Sequence, residues 1–167
     1  RRALGWAGEL LVTAGLLLLL FVAWQLWWTD VVADARQQQS VSALEERFAA
    51  GEGGRAPASS GSPVPEGAFA VLRVPRFGAD YARPVIEGTG RDVLAEGVGH
   101  YAGTAGPGEV GNFAVAGHRT TYGRPFHDVD LLVTGDRVVV ETATQVSVYE
   151  VTGHEIVLPG EVEVIAP

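Results

Sequence analysis

The four histidines, His100, His118, His127 and His154, are the first candidates for chemistry in this chain, which contains no cysteine at all. Without cysteine, these residues hold no disulfide, no thiolate metal site and no thiol nucleophile. The histidine separations fit neither an i, i+4 helical pair nor an HExxH motif, so a three-histidine centre is disfavoured and neither metal nor cofactor is expected. His118 differs from the others by its setting, NFAVAGHRTTYGRPFHDVDLLVTGD over Asn112 to Asp136. The apolar run Phe113–Ala116 reads as a strand that delivers Gly117 and His118 to its end, with a polar loop following. A general acid–base needs a pKa near working pH and a route to substrate, and a histidine at a strand end meets both. A structural histidine that bonds the following loop is the competing reading, and spacing does not separate the two.

The other three histidines read more plainly. His100 lies in GVGHYAGTAGPGEVGN, read as a Gly-rich loop; no GxxxxGK makes it a phosphate cradle. Its neighbour Tyr101 either lines a groove or packs beneath that loop. His127 is the exposed neighbour of Phe126, which anchors the loop after His118, and His154 sits on an alternating strand as an outward polar residue or a core-edge histidine.

The elements that must hold these residues begin at Glu66. Phe69–Val74 and Arg83–Ile86 read as strands, with Asp92 N-capping a short helical turn at Asp92–Glu96. Asn112–His118 is a third strand. Asp136–Glu141 and Gln145–Ile156 alternate around a turn at Ala143-Thr144, the best hairpin of the chain. Short strands broken by Gly, Pro and Asp, with no long amphipathic helix, predict an all-β domain, an antiparallel barrel or sandwich. Five strands in about 100 residues leave a barrel edge unpaired. With no Met to start the chain, the expectation is a fragment cut at both ends. The net charge of −8 excludes a nucleic-acid partner, which would require a basic face.

Ahead of this domain, Leu10–Trp28 is almost wholly apolar and about 28 Å long as a helix, close to the hydrocarbon thickness of a bilayer. Trp24, Trp27 and Trp28 crowd one end and Arg1 and Arg2 precede the other. This predicts a transmembrane anchor over residues 1–29 in contact with membrane lipid, N-terminus in the cytoplasm and the rest outside. A cleaved signal peptide is disfavoured by the length of the run, and a buried core helix by its apolarity on every side. Residues 30–65 read as a juxtamembrane helix, with Val41, Leu44 and Phe48 at helical spacing, followed by a flexible Gly/Ser/Pro-rich tether.

The block NFAVAGHR, followed by Tyr122-Gly123, Pro125-Phe126, Leu131 and Gly135-Asp136, closely resembles the sortases. Gly99-His100-Tyr101, Gly103-Thr104-Ala105 and Pro107-Gly108 through Gly111-Asn112 resemble the class E branch, and Tyr149–Val151 with Ile156–Pro159 resemble the family's late strands. The resemblance covers Phe69 to Pro167. It implies a sortase-type β-barrel whose closing strands are missing, with residues 66–167 as the N-terminal part of a catalytic domain. It also implies a membrane-anchored cysteine transpeptidase that cuts an LAxTG- or LPxTG-type sorting signal between Thr and Gly. Its partners would be sorting-signal-bearing surface proteins and a peptidoglycan precursor amine. By the same resemblance His118 is the catalytic acid–base, Tyr101 contributes to signal preference, and the family's nucleophilic Cys and oxyanion Arg fall beyond Pro167, so the fragment by itself is expected to be inactive and poorly stable. Arg119 matches neither. The alternative from another class is a non-catalytic, membrane-tethered β-domain that binds peptide or cell-wall glycan.

Overall fold

The computed structural model describes residues 2–57, 59 and 61–166. A single helix, α1 (Arg2–Ala49), leads into six strands: β1 (Ala68–Arg73), β2 (Ala82–Glu87), β3 (Val98–His100), β4 (Val115–Ala116), β5 (Arg137–Thr142) and β6 (Val146–Glu150). A short helix, α2 (Arg91–Glu96), lies between β2 and β3. The strands form one sheet in the order β4-β3-β2-β1-β5-β6. It curls into half a barrel, with β4 and β6 as its edges.

The sheet is mixed, which corrects the expectation of a purely antiparallel one. β2 and β3 run parallel, Val85 opposite Val98 and Glu87 opposite His100, while the other pairs are antiparallel. The reason is the connection. A hairpin returns the chain antiparallel, whereas the α2 crossover carries it back to the end where β2 began. That crossover also makes His100 a strand residue. The Gly-rich reading hid β3, whose three residues are all buried.

Other boundaries shift for local reasons. The segment expected as a strand over Asn112–His118 pairs only at Val115–Ala116, because Gly111 has positive φ and the Asn112 side chain turns to the carbonyls of Val164 and Ala166. The last strand stops at Glu150 rather than Ile156, since beyond Val151 no neighbour among the described residues pairs with it. His154 consequently lies in an exposed irregular stretch and not on a strand. Asp92 does not cap α2; Gly90 occupies that position without a side-chain bond.

Both faces of the central strands β1 and β2 are covered. Inside the curl, Ala70, Leu72, Val74, Val85, Val98 and Val140 pack with Phe69, Phe113, Phe126 and Tyr149 among others. On the outside, Val71, Ala82 and Ile86 pack against Val41 and Leu44 of α1, joined by Ala56 and Val64. A register shift between Ala68 and Ala70 in β1 lets both Ala68 and Val71 face this outer layer. The segment read as a loose tether is therefore partly structural. The Ala56 N–H donates to the Ala68 carbonyl at 2.8 Å and the Gly67 N–H donates to the Ala56 carbonyl at 2.8 Å, so the segment lines the rim of β1.

Helix α1 has two halves with opposite surroundings. From Leu10 to Val31 the large apolar residues whose side chains are described are exposed. An 18-residue window here has mean hydropathy 2.2 and is 0% buried, which makes the helix long and apolar enough to cross a membrane. The second half carries one continuous stripe at helical spacing: Asp30, Asp34, Gln37, Val41, Leu44 and Phe48. Its apolar end seals the outer core, and Leu44 is wholly buried. Its polar end meets the loop that follows His118.

Candidate active site

Strand β4 presents Gly117 and His118 at its end, as the apolar run before them requires. The carbonyl of His118 accepts a hydrogen bond from the Phe126 N–H at 3.0 Å, so the intervening loop closes on itself. Phe126 reaches the inner core and covers Gly117. A Cβ built on Gly117 would lie 2.7 and 2.8 Å from two ring carbons of Phe126 and 3.1 Å from Pro125 Cγ. Glycine is thus needed at this position for close approach, not for backbone freedom.

The His118 ring is half-buried, and it lies 4.9 Å from the Tyr122 ring at an interplanar angle of 42°. Its Nε2 is buried and has no hydrogen-bond partner among the described residues. A buried polar atom without a partner costs roughly 1–3 kcal/mol, and such atoms concentrate where a substrate or reacting group supplies the missing bond. The structural reading of His118, in which its ring would bond the following loop, finds no such bond here. The loop it borders is strained. Tyr122 (φ 53°) and Arg124 (φ 48°) are the non-glycine residues with positive φ among those described, a conformation that costs about 1–3 kcal/mol each and persists only where neighbours enforce it.

The remaining histidines are elsewhere. His100 is buried and has partners on both ring nitrogens: Glu87 Oε2 lies 2.9 Å from Nδ1, while Thr104 Oγ1 and the Ala105 carbonyl lie 3.0 and 3.1 Å from Nε2. Phe113 stacks on its ring at 5.1 Å. This is a structural histidine. It ties β2, β3 and the 101–114 loop together, and the Arg55 guanidinium pairs with the same Glu87 carboxylate at 2.9 Å. Burial pushes the Glu87 carboxyl up, but the hydrogen bonds and charges of His100 and Arg55 outweigh it and hold the carboxyl below its usual range. His127 is exposed, as expected from its place beside Phe126. Among the described residues no group of His, Asp and Glu is arranged to hold a metal ion.

Tyr101 is half-buried and its N–H donates to the Ala114 carbonyl at 2.9 Å. That bond sets Tyr101 opposite Ala114, four residues before His118, or at most about 13 Å at about 3.3 Å per residue. The two candidate site residues therefore flank the short β3–β4 ladder on opposite sides. Arg119, beside His118 in sequence, pairs with Asp130 at 2.8 Å on the surface and turns away from the histidine. What sequence reasoning missed is the set of residues around the loop: Tyr122 against the ring, and Asp34, Gln37 and Arg83 behind it. The signal was present in α1, where Asp30, Asp34 and Gln37 continue the spacing of Val41 and Leu44.

These features define a curled half-barrel that presents one histidine with a free ring nitrogen at the end of a strand. A sortase domain model matches residues 72–167, and the chain belongs to the sortase family. Its relatives include Sortase SrtE1 of Streptomyces coelicolor, 42% identical over 168 residues, which covers 96% of this chain and 46% of the relative. Sortase SrtE2 of the same organism is 35% identical over 150 residues, 86% of this chain and 59% of the relative. The chain thus spans about half the length of the curated relatives it matches. Among solved structures, sortase E from Streptomyces avermitilis superposes with a TM-score of 0.58 at 51% identity, covering 60% of this chain and 66% of that one. SrtA sortase from Actinomyces oris gives 0.57 at 45% identity, covering 68% and 62%. The class E resemblance read from the Gly99–Asn112 region agrees with these relatives.

Proposed function

We propose that this chain is the anchor and the histidine-bearing part of a cysteine transpeptidase that joins surface proteins to the cell wall. The observation that carries the proposal is His118, held at a strand end with Nε2 buried and unpaired in a chain of the sortase family. In the proposed reaction a cysteine thiolate, which these 167 residues do not contain, attacks the Thr carbonyl of an LAxTG- or LPxTG-type signal. The Thr–Gly bond breaks, His118 gives its proton to the departing Gly amine, and a thioester remains on the enzyme. A cell-wall amine then attacks that thioester, His118 takes the amine's proton, and the thiolate is released. In this reaction an Arg steadies the tetrahedral intermediate, and no arginine of this chain is assigned that role.

An extended five-residue signal is about 17 Å long, enough to lie along the β3–β4 edge from His118 to Tyr101. This length supports Tyr101 as a contributor to signal preference. Arg1 and Arg2 before the apolar helix, and the tryptophans after it, support a cytoplasmic N-terminus and an extracytoplasmic domain. The test is cleavage of an LAxTG peptide by a protein that carries both this chain and the cysteine. His118→Ala abolishes cleavage and leaves thermal unfolding unchanged. Cleavage that survives His118→Ala overturns the proposal.

A further inference from the structure

The polar end of the α1 stripe is built onto the loop beside His118. Three residues on one helical face engage it, Asp30 and Gln37 directly and Asp34 through Arg83 of β2. Gln37 Nε2 donates to the Tyr122 carbonyl at 2.8 Å. Asp34 Oδ1 holds Arg83 Nη2 at 2.5 Å, and the same nitrogen lies 3.4 Å from the Gly123 carbonyl. Asp30 pairs with Arg124 at 3.4 Å. The bonds converge on Tyr122, Gly123 and Arg124, three consecutive residues at positive φ. The fit is close: a Cβ on Gly123 would lie 3.1 Å from Gln37 Nε2 and 3.3 Å from the Asp34 backbone nitrogen.

A second observation points to the same place. Among the described residues, the buried side-chain polar atoms without a partner are Gln37 Oε1, Arg83 Nε and His118 Nε2, and all three residues border this turn. Strain and unmet hydrogen bonds gather where a protein holds a geometry for function. Tyr122 is the link. Its carbonyl is tied to the helix, its ring lies against His118, and it also lines a cavity of about 870 Å³ between α1 and the barrel.

We propose that Asp34 and Gln37 of α1 are positioning residues for His118, acting through the Tyr122–Arg124 turn. Because α1 is one unbroken helix, the segment that suits a membrane also carries the side chains that hold the histidine's neighbour in place. The catalytic meaning of this device rests on the acid–base reading of His118, but the device itself is a matter of ring geometry and can be tested without turnover.

The experiment follows the histidine ring signals by NMR in the full chain, held in detergent micelles with isotope-labelled histidine. Tyr122→Ala removes the neighbouring ring and defines the shift that Tyr122 imposes on His118. Gln37→Met keeps the side-chain volume, removes the donor, and is expected to move the His118 signals in the same direction. In a Tyr122→Ala background it moves them no further. The His100 signals, set by Glu87, Thr104 and Phe113 away from α1, stay in place and certify the fold. A His118 signal unmoved by Gln37→Met, or shifts that simply add in the double variant, overturns the proposal. Should Gln37→Met disperse the His100 signals, Asp34→Asn opens the same clamp from its other side, and the same criteria decide. Loss of peptide cleavage plays no part in this readout, so failure of the clamp and failure of the acid–base role remain distinguishable.

Discussion

Replacing Gly117 by alanine tests how His118 is held from the barrel side. Gly117 has ordinary backbone angles, so a methyl group adds no backbone strain and should stabilise slightly, by about 0.4–1 kcal/mol, through the unfolded chain. Against this stands the Phe126 ring, whose nearest carbons would be 2.7 and 2.8 Å from the new Cβ. Carbon atoms rest at about 3.5–4.0 Å, so Phe126 must retreat by roughly 1 Å. It cannot do so freely, because its ring belongs to the inner core and its N–H is bonded to the His118 carbonyl. Overpacking of this kind costs about 1–3 kcal/mol. The net expectation is a destabilisation of about 1–2 kcal/mol, which lowers the urea midpoint by roughly 1 M at a slope of about 1–2 kcal/mol/M. Urea unfolding followed through the valine and leucine methyl signals measures it. The double variant Gly117→Ala/Phe126→Leu should recover much of the loss, since the smaller side chain vacates the space. An unchanged midpoint in Gly117→Ala, or a double variant worse than the sum of its parts, would refute the idea that Phe126 pins this strand end.

Two further outcomes follow from the packing and the charges. Leu44→Ala empties a wholly buried position between α1 and the sheet and should cost about 2–5 kcal/mol; a variant as stable as the parent would mean that the second half of α1 is only a spacer. Glu87 is held below its usual range by His100 and Arg55, so its contribution is present above the unfolded value of 4.5 and is lost as pH falls through the depressed folded value. Stability of the parent should therefore fall across that acid window more steeply than that of Glu87→Gln, which cannot titrate, and equal slopes would remove Glu87 from the account.

The strands β1, β2, β5 and β6 were legible in the sequence because their alternation and their bounding Gly, Pro and turn residues are local signals. β3 and the short extent of β4 were not. Val98–His100 is a strand only because the α2 crossover lays it beside β2, and no window of the sequence contains both partners. His118 was legible as a strand-end histidine, but whether its buried ring nitrogen found a partner is a question of tertiary placement, and Nε2 finds none among the described residues. His100 shows the opposite outcome. It carries the same side chain under a weaker local signal, yet Glu87, Thr104 and Ala105 satisfy both of its ring nitrogens.

By itself the sequence determined that an apolar helix precedes a small β domain, since hydropathy and period-two alternation are properties of consecutive residues. It also carried the NFAVAGHR block and its flanking loops, on which the family resemblance rests. Only the tertiary structure decided what the second half of α1 does. Asp30, Asp34 and Gln37 look like solvated charges and amides on a polar helix until the barrel brings Tyr122, Gly123 and Arg124 against them. Hydrogen bonds between residues some 85 positions apart, such as that from Gln37 to Tyr122, leave no trace in local pattern. They form because the outer face of the sheet needed covering, and the helix that covers it reaches the histidine loop as well.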